Sequence, residues 1–172
     1  MTWVFLDIDG VLNHEEWYHS IKDKMNDMEY MSTQFDPLCI KRVNRIITET
    51  GANLVISSSW RSDENLKTIF KEVGLIEPKY RTLSLFESNK LGYTTRGQEI
   101  EHFLKNMDPN HLLCSKNYAI IDDDNDFNNF QKENCLFRTA ASPCDEPYQI
   151  NGGTGLTEIL TEKIIKHLKK YG

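Results

Sequence analysis

Acidic and hydroxyl side chains follow three separate apolar runs of the chain, at the point where each run ends. The runs cover residues 3–6, 54–56 and 118–121, and the polar residues after them are Asp7 and Asp9; Ser57, Ser58 and Ser59; and Asp122, Asp123 and Asp126. A single aspartate after a strand is most often a turn residue or a helix cap. Five carboxylates at one site, however, repel one another, and a bound cation makes such an arrangement favourable. Because the ligands on offer are hard oxygens, the cation that fits them is Mg²⁺.

The elements that must position these residues are strands alternating with helices. Each apolar run is typical of a strand buried on both faces, because it is short, continuous and bounded by polar residues. A fourth strand is predicted over residues 135–137. Four helices are predicted from caps and hydrophobic period. The first covers residues 37–50, between an Asp36 cap and Gly51, and the last covers about residues 157–170.

The two helices between them have clear apolar faces. One runs from a Ser62 cap to Gly74, and its apolar face consists of Leu66, Ile69, Phe70 and Val73. The other begins with a Thr95–Gln98 capping box, and its apolar face consists of Ile100, Phe103, Leu104 and Met107.

This alternation predicts an α/β fold with a parallel central sheet. Ligands of such sheets bind outside the carboxyl ends of the strands, so the three polar groups are expected to meet there. Residues 14–34 show no sustained period, and residues 75–95 allow no assignment. With 172 residues and no linker, repeat or low-complexity tract, the chain is predicted to form one domain, residues 1–172.

Composition excludes several classes of protein. No run approaches the roughly 18 apolar residues of a membrane span, and the N-terminus lacks the basic region of a signal peptide. Four cysteines without a C-x-x-C pair or zinc spacing are typical of reduced thiols, which predicts a cytoplasmic protein. The net charge of −6 argues against coating nucleic acid by bulk charge.

Four segments resemble the signatures of the haloacid dehalogenase (HAD) superfamily, in the right order along the chain. They are FLDIDGVLN (5–13), VISSSWR (55–61), TTRGQEI with Arg96, and IIDDDNDF (120–127). The resemblance implies a Rossmann-like three-layer sandwich with a central parallel sheet. The phrases SSSWR, RGQEI and IDDDND also resemble a small group of compact HAD domains in phage and bacterial proteins, some of them linked to RNA-repair enzymes. The second aspartate of D-x-D marks the phosphatase branch of the superfamily rather than the dehalogenases.

The resemblance implies an Mg²⁺-dependent phosphatase that acts through an aspartyl-phosphate. Asp7 would be the nucleophile and Asp9 the general acid and base. Gly10 would allow the sharp turn beside the phosphate, while a serine hydroxyl and Arg96 would hold the phosphate oxygens. The implied metal ligands are Asp7, the backbone carbonyl of Asp9, and Asp122.

Several roles stay open on the sequence alone. The phosphate-binding hydroxyl is Ser58 or Ser57, and the alignment on Ser-Trp-Arg favours Ser58. The family usually has Lys where Arg96 stands, which leaves Lys90 as a rival. Asp123 and Asp126 are metal ligands, residues that orient the ligands, or caps. Trp60 and Arg61 are candidates for substrate binding, against simple packing.

The spacing of the signatures leaves little room for a cap domain. Only about twenty residues, 14–34, are free for a lid, and separate domains begin around 50 residues. An open site admits a phosphate on the end of a large molecule. Together with the resemblance to HAD domains linked to RNA-repair enzymes, this makes a nucleic-acid terminal phosphate the expected substrate. The alternatives are a small phosphorylated metabolite or nucleotide, a phosphotransferase reaction, and a non-catalytic HAD-fold binding module. Binding of nucleic acid would need a basic mouth made of Lys22, Lys24, Arg61, Lys90 and Arg96.

Overall fold

Five parallel strands form one central sheet in the computed structural model, which describes residues 1–22, 34–109, 111 and 114–172. The spatial order is β3-β2-β1-β4-β5. Leu6, the last residue of β1, lies opposite Ile56 of β2 and Ile121 of β4. Because all pairs are parallel, the five carboxyl ends share one edge of the sheet. The strands are β1 (Trp3–Leu6), β2 (Asn53–Ile56), β3 (Tyr80–Arg81), β4 (Tyr118–Asp122) and β5 (Leu136–Arg138).

Helices cover both faces of this sheet. In the described part of the chain they are α1 (Glu15–Ile21), α2 (Pro37–Thr50), α3 (Leu66–Glu72), α4 (Leu85–Lys90), α5 (Arg96–Met107), α6 (Asn129–Asn134), α7 (Glu146–Asn151) and α8 (Glu158–Tyr171). A short 3₁₀ turn, Ser59–Ser62, follows β2. None of the helices in these described ranges is long and apolar enough to cross a bilayer.

The side chains of β1 divide between two hydrophobic clusters, as the twofold period of a strand requires. Val4 and Leu6 join a cluster built with α2, α3 and α8, while Trp3 and Phe5 join a second cluster built with α5. All four are buried, and each large apolar side chain removed from water stabilises the fold by about 1.5–3 kcal/mol. The sheet between two helical layers confirms the predicted Rossmann-like three-layer sandwich.

Local capping signals placed the long helices correctly. Asp36 Oδ1 accepts the Leu38 backbone N–H at 2.8 Å, and α2 ends at Gly51 with a φ of 66°. The Thr95–Gln98 capping box opens α5 as predicted, and Thr157 caps α8. These interactions satisfy backbone groups that each helix end leaves without an intrahelical partner.

Two predicted boundaries differ from those in the structure. The helix expected to start after Ser62 begins only at Leu66, because residues 59–62 form the 3₁₀ turn. The predicted strand 135–137 lies one residue later, at Leu136–Arg138. Met107, predicted for the apolar face of α5, is 37% exposed at its last turn.

Five short elements had no counterpart in the sequence analysis. They are α1, β3, α4, α6 and α7, none longer than seven residues. Such elements contribute one or two buried side chains, or none in the case of α1 and β3, so no hydrophobic period can be detected. Of the proposed lid, residues 14–34, the structure places His14 at the cap of α1 and describes α1 itself. Residues 23–33 of that segment, Lys24 included, lie outside the described residues.

Candidate active site

Asp7 lies at the carboxyl edge of the sheet, one residue beyond the end of β1. Its backbone N–H donates to the Ile121 carbonyl at 2.9 Å, and the Ser57 N–H donates to the Leu6 carbonyl at 2.9 Å. These two bonds continue the ladder past the strands and set Asp7, Ser57 and Asp122 side by side. Asp7 is 4% exposed and Asp122 is fully buried. A buried carboxylate is costly unless it is paired, so both need a cationic partner.

Arg96 supplies that partner from the first turn of α5. Its Nη1 lies 2.7 Å from Asp7 Oδ1 and 3.0 Å from Asp122 Oδ2. The same nitrogen donates to the Ser57 carbonyl at 2.8 Å. Burial acts to lower the pKa of the guanidinium, but Asp122 and Asp7 together raise it above its usual value. Lys90, the rival residue, is exposed at the end of α4.

The acidic groups carry more negative charge than Arg96 neutralises. Burial raises the pKa of Asp7 against the opposing effects of Arg96 and of a hydrogen bond from Ser58. Burial, helped by repulsion from Asp7, raises the pKa of Asp122 to about 8 and that of Asp123 to about 6. Burial thus disfavours the charged forms of these carboxylates, and a cation bound beside them would favour those forms.

Asp7, Asp122 and Asp123 offer carboxylate oxygens that all lie within 4.8 Å of one another. Mg²⁺, the cation that the resemblance to HAD domains implies, is a hard cation that takes oxygen ligands. This all-oxygen set therefore fits the metal. Asp9 and Asp126, the other candidate ligands, direct their carboxylates to different contacts, described below.

Gly10 brings the backbone of the loop after β1 against Asp123. A Cβ at this position would lie 2.4 Å from the Asp123 carboxyl carbon, far inside van der Waals contact. The φ of Gly10 is 70°, in the left-handed region that side chains disfavour. Two features therefore favour glycine at this position: the positive φ and the close approach of the backbone to Asp123.

Asp9 is exposed, and both of its carboxylate oxygens accept a hydrogen bond. Trp60 Nε1 donates to Oδ2 at 2.8 Å, and Asn13 Nδ2 donates to Oδ1 at 2.8 Å. Asn13 Oδ1 in turn accepts the Gly10 N–H at 3.0 Å. The sequence analysis gave Asn13 no role, although its D-x-x-x-N spacing from Asp9 was visible. The sequence analysis left Trp60 open between substrate binding and packing, and the structure places its indole N–H against Asp9.

The two candidate serines differ in what their hydroxyls reach. The Ser58 hydroxyl forms a hydrogen bond with Asp7 that acts to lower the pKa of that carboxyl. It also accepts the Trp60 backbone N–H at 3.4 Å. The Ser57 hydroxyl is buried without a partner among the described residues, while its carbonyl binds Arg96. Contact with Asp7 therefore favours Ser58, with Ser57 beside it.

Arg61 points into the protein rather than into the site. Its Nη2 lies 3.0 and 3.1 Å from the two carboxylate oxygens of Glu99 on α5, and both side chains are buried. Its Nη1 donates to the Ser58 carbonyl at 2.7 Å. Arg61 thus joins the loop that carries Ser58 to the helix that carries Arg96, and it does not extend toward a substrate. Glu99 is a residue that sequence reasoning missed.

Asp126 connects the loop after β4 to the start of α5. Its Oδ2 accepts the Arg96 backbone N–H at 2.9 Å, one of the groups that a helix N-terminus leaves unpaired. The carboxylate thereby orients Arg96.

Unsatisfied polar atoms concentrate at this edge of the sheet. Of four buried side-chain atoms without a partner in the described ranges, three belong to Ser57, Asp126 and Thr139. Thr139 follows β5 and donates its backbone N–H to the Asp122 carbonyl at 2.9 Å. Because buried polar atoms are normally paired, this clustering is typical of a site that binds polar ligands.

A family model described as the HAD domain in Swiss Army Knife RNA repair proteins matches residues 3–143, which include every site residue described above. The chain belongs to this family. Its HAD domain supports a phosphatase-type or phosphoryl-transfer role. No curated protein and no solved structure is significantly similar to the chain. Residues 144–172, which follow the matched region, include α7 and α8, and α8 completes the core on one face of the sheet.

Arg61 and Arg96 do not form the basic surface at the entrance of the site that binding of nucleic acid would need. Arg61 is paired with Glu99, and Arg96 is paired with Asp7 and Asp122. Lys22 and Lys90 are exposed, and Lys24 lies outside the described residues. The two arginines therefore leave little unbalanced positive charge for a nucleic-acid backbone.

Proposed function

We propose that this HAD domain is an Mg²⁺-dependent phosphomonoester hydrolase that acts through an aspartyl-phosphate on Asp7. The observation that carries the proposal is the position of the Asp7 carboxylate, between the Arg96 guanidinium and the Ser58 hydroxyl and beside Asp122 and Asp123. A buried carboxylate at a strand end, surrounded by donors and metal ligands, is arranged to attack an electrophile.

The first displacement transfers the phosphoryl group to Asp7. A carboxylate oxygen of Asp7 attacks phosphorus, the bond to the leaving oxygen breaks, and Asp9 gives its proton to that oxygen. Arg96 and Ser58 hold the non-bridging oxygens as their charge is redistributed. Held by Asp7, Asp122 and Asp123, Mg²⁺ would screen the repulsion between an anionic nucleophile and an anionic phosphate.

The second displacement releases phosphate. Asp9, now a carboxylate, takes a proton from water as the water oxygen attacks phosphorus. The bond between phosphorus and the Asp7 oxygen then breaks, which regenerates both aspartates and yields inorganic phosphate. One residue thus serves as acid and then as base. A phosphotransferase would use the same residues and replace water by an acceptor hydroxyl.

For the substrate we propose the terminal phosphate of a nucleic acid, which the description of the family as RNA-repair domains supports. The pairing of Arg61 and Arg96 with carboxylates favours a second candidate, a small phosphorylated metabolite or nucleotide.

Turnover assays test both the proposed phosphatase reaction and the proposed class of substrate. We expect hydrolysis of p-nitrophenyl phosphate that requires Mg²⁺, stops with chelator and is absent from Asp7→Asn. Absence of any turnover would favour a non-catalytic module. RNA oligonucleotides with a 5′- or 3′-phosphate should then give a higher kcat/KM than nucleotides and sugar phosphates. A small phosphate ester with a kcat/KM above every oligonucleotide would replace the substrate proposal.

A further inference from the structure

The carboxylate of Asp9 is held at both oxygens by side chains from two different loops. Asn13, four residues further along the same loop, donates to Oδ1 at 2.8 Å, and Trp60 of the 3₁₀ turn after β2 donates to Oδ2 at 2.8 Å. Asp9 is exposed, so water could have satisfied both oxygens instead. Two fixed donors on an exposed carboxylate restrict its rotation, which a stability role alone does not need.

Each donor is itself held in place. Asn13 Oδ1 accepts the Gly10 N–H at 3.0 Å, which couples its amide to the turn beside Asp123. The Trp60 ring packs on Phe35, with centroids 5.7 Å apart and planes inclined by 56°. A side chain locked by packing and by further hydrogen bonds can orient a catalytic group to within a fraction of an ångström.

Trp60 is also connected to the nucleophile, Asp7, through the Ser58 hydroxyl. Its backbone N–H donates to the Ser58 hydroxyl at 3.4 Å, and that hydroxyl contacts Asp7. A single residue therefore connects the group that attacks phosphorus with the group that serves the leaving oxygen. The two must act on opposite sides of one phosphorus atom, so their relative placement matters for the rate.

We infer that Asn13 and Trp60 are positioning residues that hold the Asp9 carboxylate in the orientation needed to protonate the leaving group. This inference rests on the proposed function, because it takes Asp9 as the general acid and base. Each carboxylate oxygen keeps a second lone pair after accepting one hydrogen bond, so the two donors orient Asp9 without blocking its proton transfer.

The dependence on the leaving group separates positioning from a structural role. p-Nitrophenolate leaves as a stable anion and needs no proton, whereas an alkoxide must be protonated as it leaves. kcat/KM covers the steps up to cleavage of the ester, so it is sensitive to the general acid only for the alkyl ester. Positioned general acids contribute about 100- to 10,000-fold, and loss of one of two orienting donors should remove part of that factor.

The variant to test is Trp60→Phe, which removes the indole N–H and keeps an aromatic ring against Phe35. We expect kcat/KM for an alkyl phosphate to fall about tenfold or more and kcat/KM for p-nitrophenyl phosphate to stay within about twofold. Since Asp9 also activates water, the second step should slow, and a burst of p-nitrophenol should precede the steady state. Asn13→Ala should show the same pattern.

Trp3→Phe is the matched control, because it makes the same chemical change in the core at the far end of β1. Trp3→Phe should change kcat/KM by the same factor for the alkyl phosphate and for p-nitrophenyl phosphate. Equal losses for the two substrates in Trp60→Phe would overturn the inference, since a loosened fold would produce them.

A second measurement does not depend on turnover. In a ¹H–¹⁵N spectrum the indole signal of Trp60, assigned by its absence from Trp60→Phe, should shift in Asp9→Ala and exchange faster with solvent, while that of Trp3 stays unchanged. An unmoved Trp60 signal would overturn the inference. If the wild-type protein hydrolyses neither ester, the proposed function fails and the positioning role with it, and the spectrum still reports whether the contact exists.

Discussion

Glu99→Gln is expected to be among the most destabilising isosteric substitutions in the protein. Arg61 Nη2 donates to both carboxylate oxygens of Glu99, and only 9% of the Glu99 side chain and 6% of the Arg61 side chain are exposed. The glutamine keeps the shape of the side chain but leaves the guanidinium buried without a counter-charge. Glu99 also accepts hydroxyl hydrogen bonds from Ser88 at 2.6 Å and Thr82 at 3.5 Å, which rules out a simple exchange for an apolar residue.

Breaking a buried pair by neutralising one partner costs about 3–5 kcal/mol. Small domains unfold with a total of about 5–15 kcal/mol, so this is a large fraction of the stability. At an m-value of about 2 kcal/mol/M, the urea midpoint should fall by about 1.5–2.5 M. The midpoint of thermal unfolding, Tm, should fall by about 6–20 °C, because each kcal/mol lowers Tm by about 2–4 °C in a chain of this size.

Urea unfolding followed by tryptophan fluorescence measures the effect. Glu162→Gln is the control, because Glu162 pairs with Arg45 on the surface, with 58% of its side chain exposed, and such pairs contribute at most about 1 kcal/mol. Adding Arg61→Met to Glu99→Gln should cost less than the sum of the single changes. A Glu99→Gln midpoint no lower than that of Glu162→Gln would refute the buried pair as a source of stability.

Three further outcomes are expected at the site itself. Asp7→Asn should retain less than about one-hundredth of the wild-type rate, because it removes the attacking charge. Its circular dichroism spectrum should match that of the wild-type protein, since the fold is kept. A higher residual rate would exclude Asp7 as the nucleophile. Asp122 has a folded-state pKa of about 8, above its unfolded value, so in chelator the wild-type protein should lose stability as the pH rises from about 4 to 8. Asp122→Asn should flatten that decline and raise the Mg²⁺ concentration for half-maximal activity, and an unchanged half-saturation would exclude Asp122 as a ligand. Mg²⁺ at about 100 times its Kd should stabilise the wild-type protein by about 2.7 kcal/mol, seen as a higher Tm that Asp122→Asn lacks at the same concentration.

Four of the five strands, the long helices and the edge of the sheet that carries the site could be predicted from the sequence. β1 is a run of four buried apolar residues, and the caps at Asp36, Thr95 and Thr157 act within three residues along the chain. These signals are local, because a strand's burial and a helix's first turn depend on neighbouring residues. A parallel sheet then brings the ends of separate strands to one edge, whatever connects them.

The partners of individual side chains were decided only by the tertiary structure. Glu99 lies 38 residues from Arg61, and Trp60 lies 51 residues from Asp9. No pattern along the chain indicates that Arg61 turns inward or that the indole turns toward Asp9. A hydrogen bond needs two groups within about 3 Å, and that distance is set by how the sheet, the 3₁₀ turn and α5 pack together. Sequence therefore determined which residues reach the site, and packing determined which of them face the reaction and which hold the others in place.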